Sequence, residues 1–214
     1  MIKTSFKKTQ EIRKNIIQNN KNCDSVFFEG SNNVLISVPH GVSQTRLGKL
    51  KVAEIGTIPL GYIVAKNTNS NIIIKTKNNF DDANFDENCN YKKRISKIIK
   101  SRNIKYIIDF HGLAKHRPMD INLGINLGRT IETDVNLFES LNNCLIKQKF
   151  IVSIDQPFAS LYNTVSAYFS RKYNVWTIQV EVNSAITNIS TNIEKFNLLI
   201  TTLINWINNN FNND

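Results

Sequence analysis

Apolar positions along the chain fall into short runs, and two periods alternate between them. The segment SVFFEGSNNVLISV, residues 25–38, holds two apolar runs around Gly-Ser-Asn-Asn and predicts a hairpin. NIIIKT (71–76) and IKYIIDF (104–110) are β-branched runs of strand length, the second bounded like a buried strand. FIVSI (150–154) and NVWTIQVEV (174–182) are two further strands. Between these runs the period lengthens to that of a helix. TIPLGYIVAKN (57–67) predicts a helix with Pro59 in its first turn, where a missing N–H costs little. YKKRISKIIKSR (91–102) places Tyr91, Ile95, Ile98 and Ile99 on one helical face. TDVNLFESLNNCLIKQ (133–148) opens on Thr-Asp and repeats Phe138, Leu141 and Leu145. The last helix, within 191–209, opens with a capping box of Thr191 and Glu194 and carries Ile193, Phe196, Ile200, Leu203 and Ile207. FDDANFDENCN (80–90) reads as a polar loop, and the Asn-rich end (208–214) as frayed.

Strands alternating with helices predict an α/β domain with a mostly parallel or mixed sheet and helices on both faces. With no repeat and no linker, residues 1–214 read as one such domain. An apolar fraction of 41% and a charged fraction of 21% are those of a soluble globular protein, and no run has membrane-span length. The basic N-terminus lacks the apolar segment of a signal peptide, so the expected location is the cytoplasm.

The three cysteines, Cys23, Cys89 and Cys144, form no Cys-x-x-Cys pair, which argues against a disulfide framework and a cysteine zinc site. Cys144 sits among apolar residues and reads as a buried thiol. A formal charge of +10 raises the question of nucleic acid, but the lysines are scattered and no aromatic platform or arginine stripe accompanies them. The basicity therefore reads as a solvated surface, with neither nucleic acid nor membrane expected as a partner.

Ligands of open α/β sheets sit beyond the carboxyl ends of the strands. Three runs deliver polar groups there. VLISVPHG ends on His40, IIDFHG carries Asp109 and His111, and WTIQVEVN carries Glu181 between Val180 and Val182. A carboxylate in so apolar a run is costly to bury unless paired or near a cation. Two imidazoles and a carboxylate are the usual protein ligands of a catalytic zinc, which leaves a fourth position for water. Glu54, in KLKVAEIGT, is the candidate third ligand; the alternative is a charge at the start of the following helix. His116, five residues after His111, is the alternative second histidine, with Arg117 beside it. Glu181 is placed to take a proton from water and deliver it to a leaving nitrogen.

The motifs VPHG, DFHG, DINLG and YFSRKYNVWTIQVEVN, with FDDANF before the second of them, stand in the order seen in the N-formylglutamate amidohydrolase family. The resemblance spans about residues 30–185. It implies a fold like that of the zinc carboxypeptidases, one zinc per chain, and hydrolysis of an amide bond in a small carboxylate-bearing acyl-amino acid or peptide. It also implies His40 and His111 as metal ligands and Glu181 as catalytic base. Arg171 falls where the family has an arginine that binds the substrate carboxylate or stabilises the oxyanion. Asp82 and Asn84, with Arg46, join the substrate-binding set, and Asp109 and Asp120 are expected to orient ligand histidines. Two positions depart from the pattern. Ser43 stands where a His-x-x-Glu ligand pair would need its carboxylate, and Gly112 stands where the family often has Ser. A carboxypeptidase-like or γ-glutamyl-peptide hydrolase is the second enzyme reading, and a basic nucleic-acid-binding module is the alternative of another class.

Overall fold

The computed structural model describes residues 3–188, 190 and 192–211. Helix α1 (Phe6–Asn19) is capped by Ser5, whose side chain accepts from the Lys8 N–H. Strands β1 (Ser25–Phe28) and β2 (Val34–Val38) follow, then the short β3 (Gln44–Arg46) and β4 (Lys49–Lys51) and helix α2 (Thr57–Thr68). The middle of the chain forms β5 (Asn71–Lys75), α3 (Asn90–Arg102), β6 (Tyr106–Leu113), β7 (Ile121–Gly124), α4 (Val135–Lys147) and β8 (Val152–Ile154). It closes with α5 (Val165–Tyr173), β9 (Trp176–Asn183), α6 (Ser184–Thr187) and α7 (Ile193–Phe211). Thr191 of the expected capping box and residues 212–214 of the expected frayed end lie outside the described residues; Glu194 is in the first turn of α7.

Seven strands form one mixed sheet in the order β1-β5-β2-β6-β9-β7-β8, and β3 pairs with β4 separately. The four central strands run parallel, while β1 and β7 are antiparallel to their inner neighbours. Alternation along each strand sorts the core into two layers. Val34, Ile36 and Val38 of β2 join Ile72, Ile74, Ile178 and Val180 under α2, α4 and α7. Leu35, Ile73 and Ile107 face the other way, toward Tyr91 and Ile95 of α3 and Phe169 of α5. Helices therefore cover both faces of an α/β fold.

The expected hairpin over residues 25–38 does not form, because β5 lies between β1 and β2. Residues 29–33 instead bridge the junction between α2 and β5. Gly30 N–H donates to the Asn71 side chain, Ser31 N–H to Asn69 O, and the Asn71 amide to Asn32 O. A Cβ at Gly30 would meet Asn69 O at 2.3 Å, so this crossing needs glycine. The Gly-Ser-Asn-Asn signal was real, but it marks a crossing rather than a two-strand turn.

Cys89 is buried beside α3, Cys23 is exposed and Cys144 is half-buried, a correction to the expected buried thiol at Cys144. No helix among the described residues is long and apolar enough to cross a membrane.

Tyr91 ties α3 to the end of β2. Its fully buried hydroxyl lies 3.0 Å from Val38 N, Ile73 O and Ser37 Oγ, two residues before His40. Tyr91→Phe strands the Val38 N–H and the Ile73 carbonyl. It should therefore destabilise the fold by about 1–3 kcal/mol in urea unfolding, the cost of unsatisfied buried polar groups. A loss below about 0.5 kcal/mol would mean that water or a backbone shift replaces the hydroxyl.

Candidate metal centre and active-site cleft

β2 stops at Val38, and the Pro39 turn carries His40 over the carboxyl edge of the sheet. β6 runs alongside, with Asp109 and His111 two residues apart and so on one face. β9 pairs with β6 in a register that sets Gln179 beside Asp109 and Glu181 beside His111. Glu54, in the loop before α2, is held against this edge by its own N–H, which donates to His40 O at 2.8 Å.

The result is a buried convergence. His40 Nδ1 lies 3.0 Å from Glu54 Oε1 and 3.2 Å from His111 Nδ1, and His111 Nδ1 lies 3.5 Å from Glu54 Oε2. The other nitrogen of each ring faces a fully buried carboxylate. His40 Nε2 is 2.9 Å from Asp82 Oδ1, and His111 Nε2 is 2.8 Å from Asp109 Oδ2. Ionised carboxylates only accept, so each Nε2 can donate its proton there, which leaves each Nδ1 to present a lone pair to a metal or a second proton to Glu54. The Asn84 amide nitrogen, 3.1 Å from His111 Nε2, is then a close neighbour rather than a donor. Glu54 and the two Nδ1 atoms therefore need positive charge among them, from ring protons or from a cation.

Charge counting agrees. Asp82, Asp109, Glu54 and Glu181 gather at this edge, and the cations near them are Arg46, whose Nε donates to Asp82 Oδ2 at 2.8 Å, and the buried Lys92, which interacts electrostatically with Asp82 and Asp109. Burial disfavours the imidazolium form, yet Glu54 and Asp82 raise the pKa of His40 above its ordinary value. Burial is likewise outweighed at His111, where Asp109 and Glu54 raise the pKa well above the ordinary value. Glu54 and Asp82 are held far below the usual carboxylate range, because the histidines outweigh the burial that pushes them up. A divalent ion meets the same demand as two protons. With one ligand atom taken from each, His40, Glu54 and His111 lie within 4.8 Å of one another, close enough to hold a metal ion, with Asp82 and Asp109 as the carboxylates that would fix the ring orientations.

Gly112 is part of this design. Its N–H donates to Glu54 Oε2 at 2.9 Å, and a Cβ there would meet Glu54 Cβ at 3.0 Å and Cγ at 3.1 Å. Its place where a serine was expected thus gives Glu54 room to reach the histidines.

Glu181 is buried and lines the same cleft, with Gln179 Nε2 donating to its Oε1 at 2.8 Å. Burial raises its pKa to about 7, with His111 lowering and Glu54 raising it further. The cleft measures 1440 Å³. Leu50, Val52 and Ile55 line it from one segment, and Phe158, Leu161 and Tyr162 from another, all exposed.

Four expectations need correction. Arg171 is exposed on α5, donates to Tyr162 O and does not line the cleft, because the helix turns it away from the sheet edge. Asp120 orients neither histidine; its carboxylate accepts from Ile151 N–H and from Lys195. Asp82 is fully buried, so it holds His40 and Arg46 rather than substrate. His116 is exposed in the loop after β6 and is no alternative to His111. Asn84 and Arg46 do line the cleft, although the Asn84 side-chain oxygen is committed to Val165 N–H. Tyr168, Phe169 and Trp176 are buried in the core. Gln179 and Arg13 went unread. Gln179 was legible, since it shares a strand face with Glu181.

No family model matches the sequence, and no curated protein matches it. Among solved structures the chain is similar to N-formylglutamate amidohydrolase from Ralstonia eutropha JMP134, at 11% identity and a TM-score of 0.62, covering 86% of this chain and 95% of that one. It is also similar to the gene product Atu2144 from Agrobacterium tumefaciens, at 9% identity and a TM-score of 0.65, covering 92% and 97%. A bacteriophage poly-gamma-glutamate hydrolase follows at 14% identity and a TM-score of 0.53, covering 87% of each chain. At these identities the likeness is one of fold, and the chain has that fold.

Gly112→Ala should push Glu54 off the triad by a few tenths of an ångström and weaken zinc affinity about 10-fold, within the range for groups that orient metal ligands. Competition against a chelator measures it, with the melting temperature as a control for folding. Unchanged affinity would mean that Glu54 moves freely or does not bind the metal.

Proposed function

We propose that the chain is a zinc-dependent amidohydrolase acting on a small carboxylate-bearing N-acyl amino acid or a short peptide. One observation carries the reading: His40, Glu54 and His111 converge, with Glu181 in register beside His111. The amidohydrolase and hydrolase names of two structures with this fold support it. His40, Glu54 and His111 would hold the zinc ion, which would supply an activated water and polarise the scissile carbonyl.

The chain's own residues do the rest. Asp82 and Asp109 keep both imidazoles in the tautomer that presents Nδ1. Glu181, ionised, takes the proton of the attacking water and passes it to the leaving amide nitrogen. Gln179 steadies that carboxylate through one oxygen and leaves the other for the proton. Burial tunes Glu181 to about 7, where it accepts a proton and gives it up again with little cost either way.

A second reading, a peptide hydrolase of the carboxypeptidase-like or γ-glutamyl type, is favoured by the width of the cleft. Its 1440 Å³ exceeds the roughly 300–1,000 Å³ of small-ligand pockets, and its exposed apolar lining suits the side chains of a longer substrate. A panel of acyl-amino acids and peptides separates the two.

Elemental analysis of the purified protein should find about one zinc per chain. Glu181→Gln should keep that zinc and the melting temperature of the parent while turnover falls by roughly 10²–10⁴. Loss of metal with activity would make Glu181 a ligand. Undiminished turnover would take it out of the reaction, and a folded, unchelated protein without transition metal would sink the proposal.

The base must be ionised, so the rate should rise with pH through the Glu181 pKa. Burial, partly offset by the nearby histidines, sets that at about 7, and a nearby dication would lower it. The acid limb of kcat/KM should therefore lie at or below about pH 7. A limb well above 7 would assign it to another group.

A further inference from the structure

With Arg171 turned away, the substrate carboxylate needs another anchor, and α1 offers one. Phe6, Thr9, Gln10 and Arg13 all line the cleft. Their spacing of three, one and three residues is one face of a helix, so α1 forms a wall of the site.

Three arginines line the cleft, and they differ in what they are bound to. Arg46 is committed to Asp82 and lies over the Phe85 ring, 5.3 Å from its centroid. Arg117 stands exposed in the loop after β6. Arg13 has no carboxylate partner among the described residues. Its Nε is enclosed without any hydrogen-bond partner, and its only acceptor is Gly41 O, 3.4 Å from Nη2. That distance is long for an N–H···O bond. A half-enclosed guanidinium with idle donors, beside the residue that follows His40, is a site built for an anion that the protein itself does not supply.

We propose that Arg13 is the specificity-determining anchor for a carboxylate of the substrate, gripped through the planar fork of the guanidinium. The assignment rests on the amidohydrolase reading for its place in catalysis and for the choice of carboxylate, but not for the binding of an anion itself. A carboxylate matches the fork with two parallel N–H···O bonds; a phosphate can do the same, and the amidohydrolase reading selects the carboxylate. Anchored there, the anion lies next to the His40–Gly41 turn, which leaves the acyl side of the substrate free to reach the edge between β6 and β9.

The test is calorimetric titration with succinate and with succinamide, on the protein as purified and after chelation. Arg13→Gln should weaken succinate binding by about 10- to 100-fold, the worth of a charge-assisted pair, and leave succinamide unaffected. Arg13→Lys should recover only part of the loss, since it keeps the charge and not the fork. Lys14→Gln removes the same charge from the exposed side of the same helix and should change nothing. Equal effects of the Arg13 and Lys14 substitutions would reduce the finding to overall charge and overturn the anchor. So would succinate binding that ignores Arg13, or inorganic phosphate bound as tightly with the same dependence on Arg13. Should the protein hold no zinc yet bind succinate through Arg13 before and after chelation, the amidohydrolase reading falls and the anion site stands.

Discussion

A concentration of buried carboxylates at the carboxyl edge of the sheet is the constraint on which the site depends. Asp82 and Asp109 are fully buried, and Glu54 points its carboxylate at the same two imidazoles. Isolated carboxylates in such surroundings are too costly to keep ionised, and breaking one buried pair costs about 3–5 kcal/mol. Arg46 pairs with Asp82, and Lys92 acts on Asp82 and Asp109 from farther away. The rest of the charge is met by protons on the histidines, and a metal dication is compatible with the same groups. The same excess accounts for the raised histidines and the depressed carboxylates together.

Strand alternation accounts for half of this assembly and was largely legible. Asp109 and His111 differ by two positions, as do Gln179 and Glu181, so a strand reading alone puts each pair on one face. An apolar run interrupted by such a pair marks a site because burial without function would be penalised. His40 was legible for a related reason: a β-branched run that ends in Pro-His-Gly delivers its histidine past the strand.

What the sequence left dark is what non-local packing decides. Nothing local says that β5 separates β1 from β2, since the register is set by side-chain amides of Asn32 and Asn71 and by a crossing only glycine permits. Strand β7 is too short to stand out from its loop, and α1 buries only Thr9 and Ile16, too little to show a helical stripe. Arg171 misled because a place in a motif order does not say which side of a helix a residue occupies. Asp120 misled in the same way: it ends a loop near the right strand but is claimed by Lys195 and the start of β8.

The two halves of the cluster are also held by different means, and this separates chemistry from recognition. His111, Asp109 and Glu181 are fixed by a continuous parallel ladder between β6 and β9, where a slip of one residue would turn every side chain to the opposite face. His40, Glu54 and Asp82 are instead fixed by individual hydrogen bonds: the Tyr91 hydroxyl at the end of β2, the Gly112 N–H on Glu54, and Arg46 with the Asn84 N–H on Asp82. Those bonds come from separate elements: Tyr91 from α3, Gly112 from β6, Arg46 from β3 and Asn84 from the loop before α3. The ladder half is therefore rigid and local to the sheet, whereas the loop half joins residues 40–54 and 82–84 to the walls of the cleft. Arg13, the proposed anchor, sits on one of those walls, on α1, where substitutions do not disturb the ladder. Such a division lets a proton-transfer site stay constant while the surface that recognises the substrate diverges.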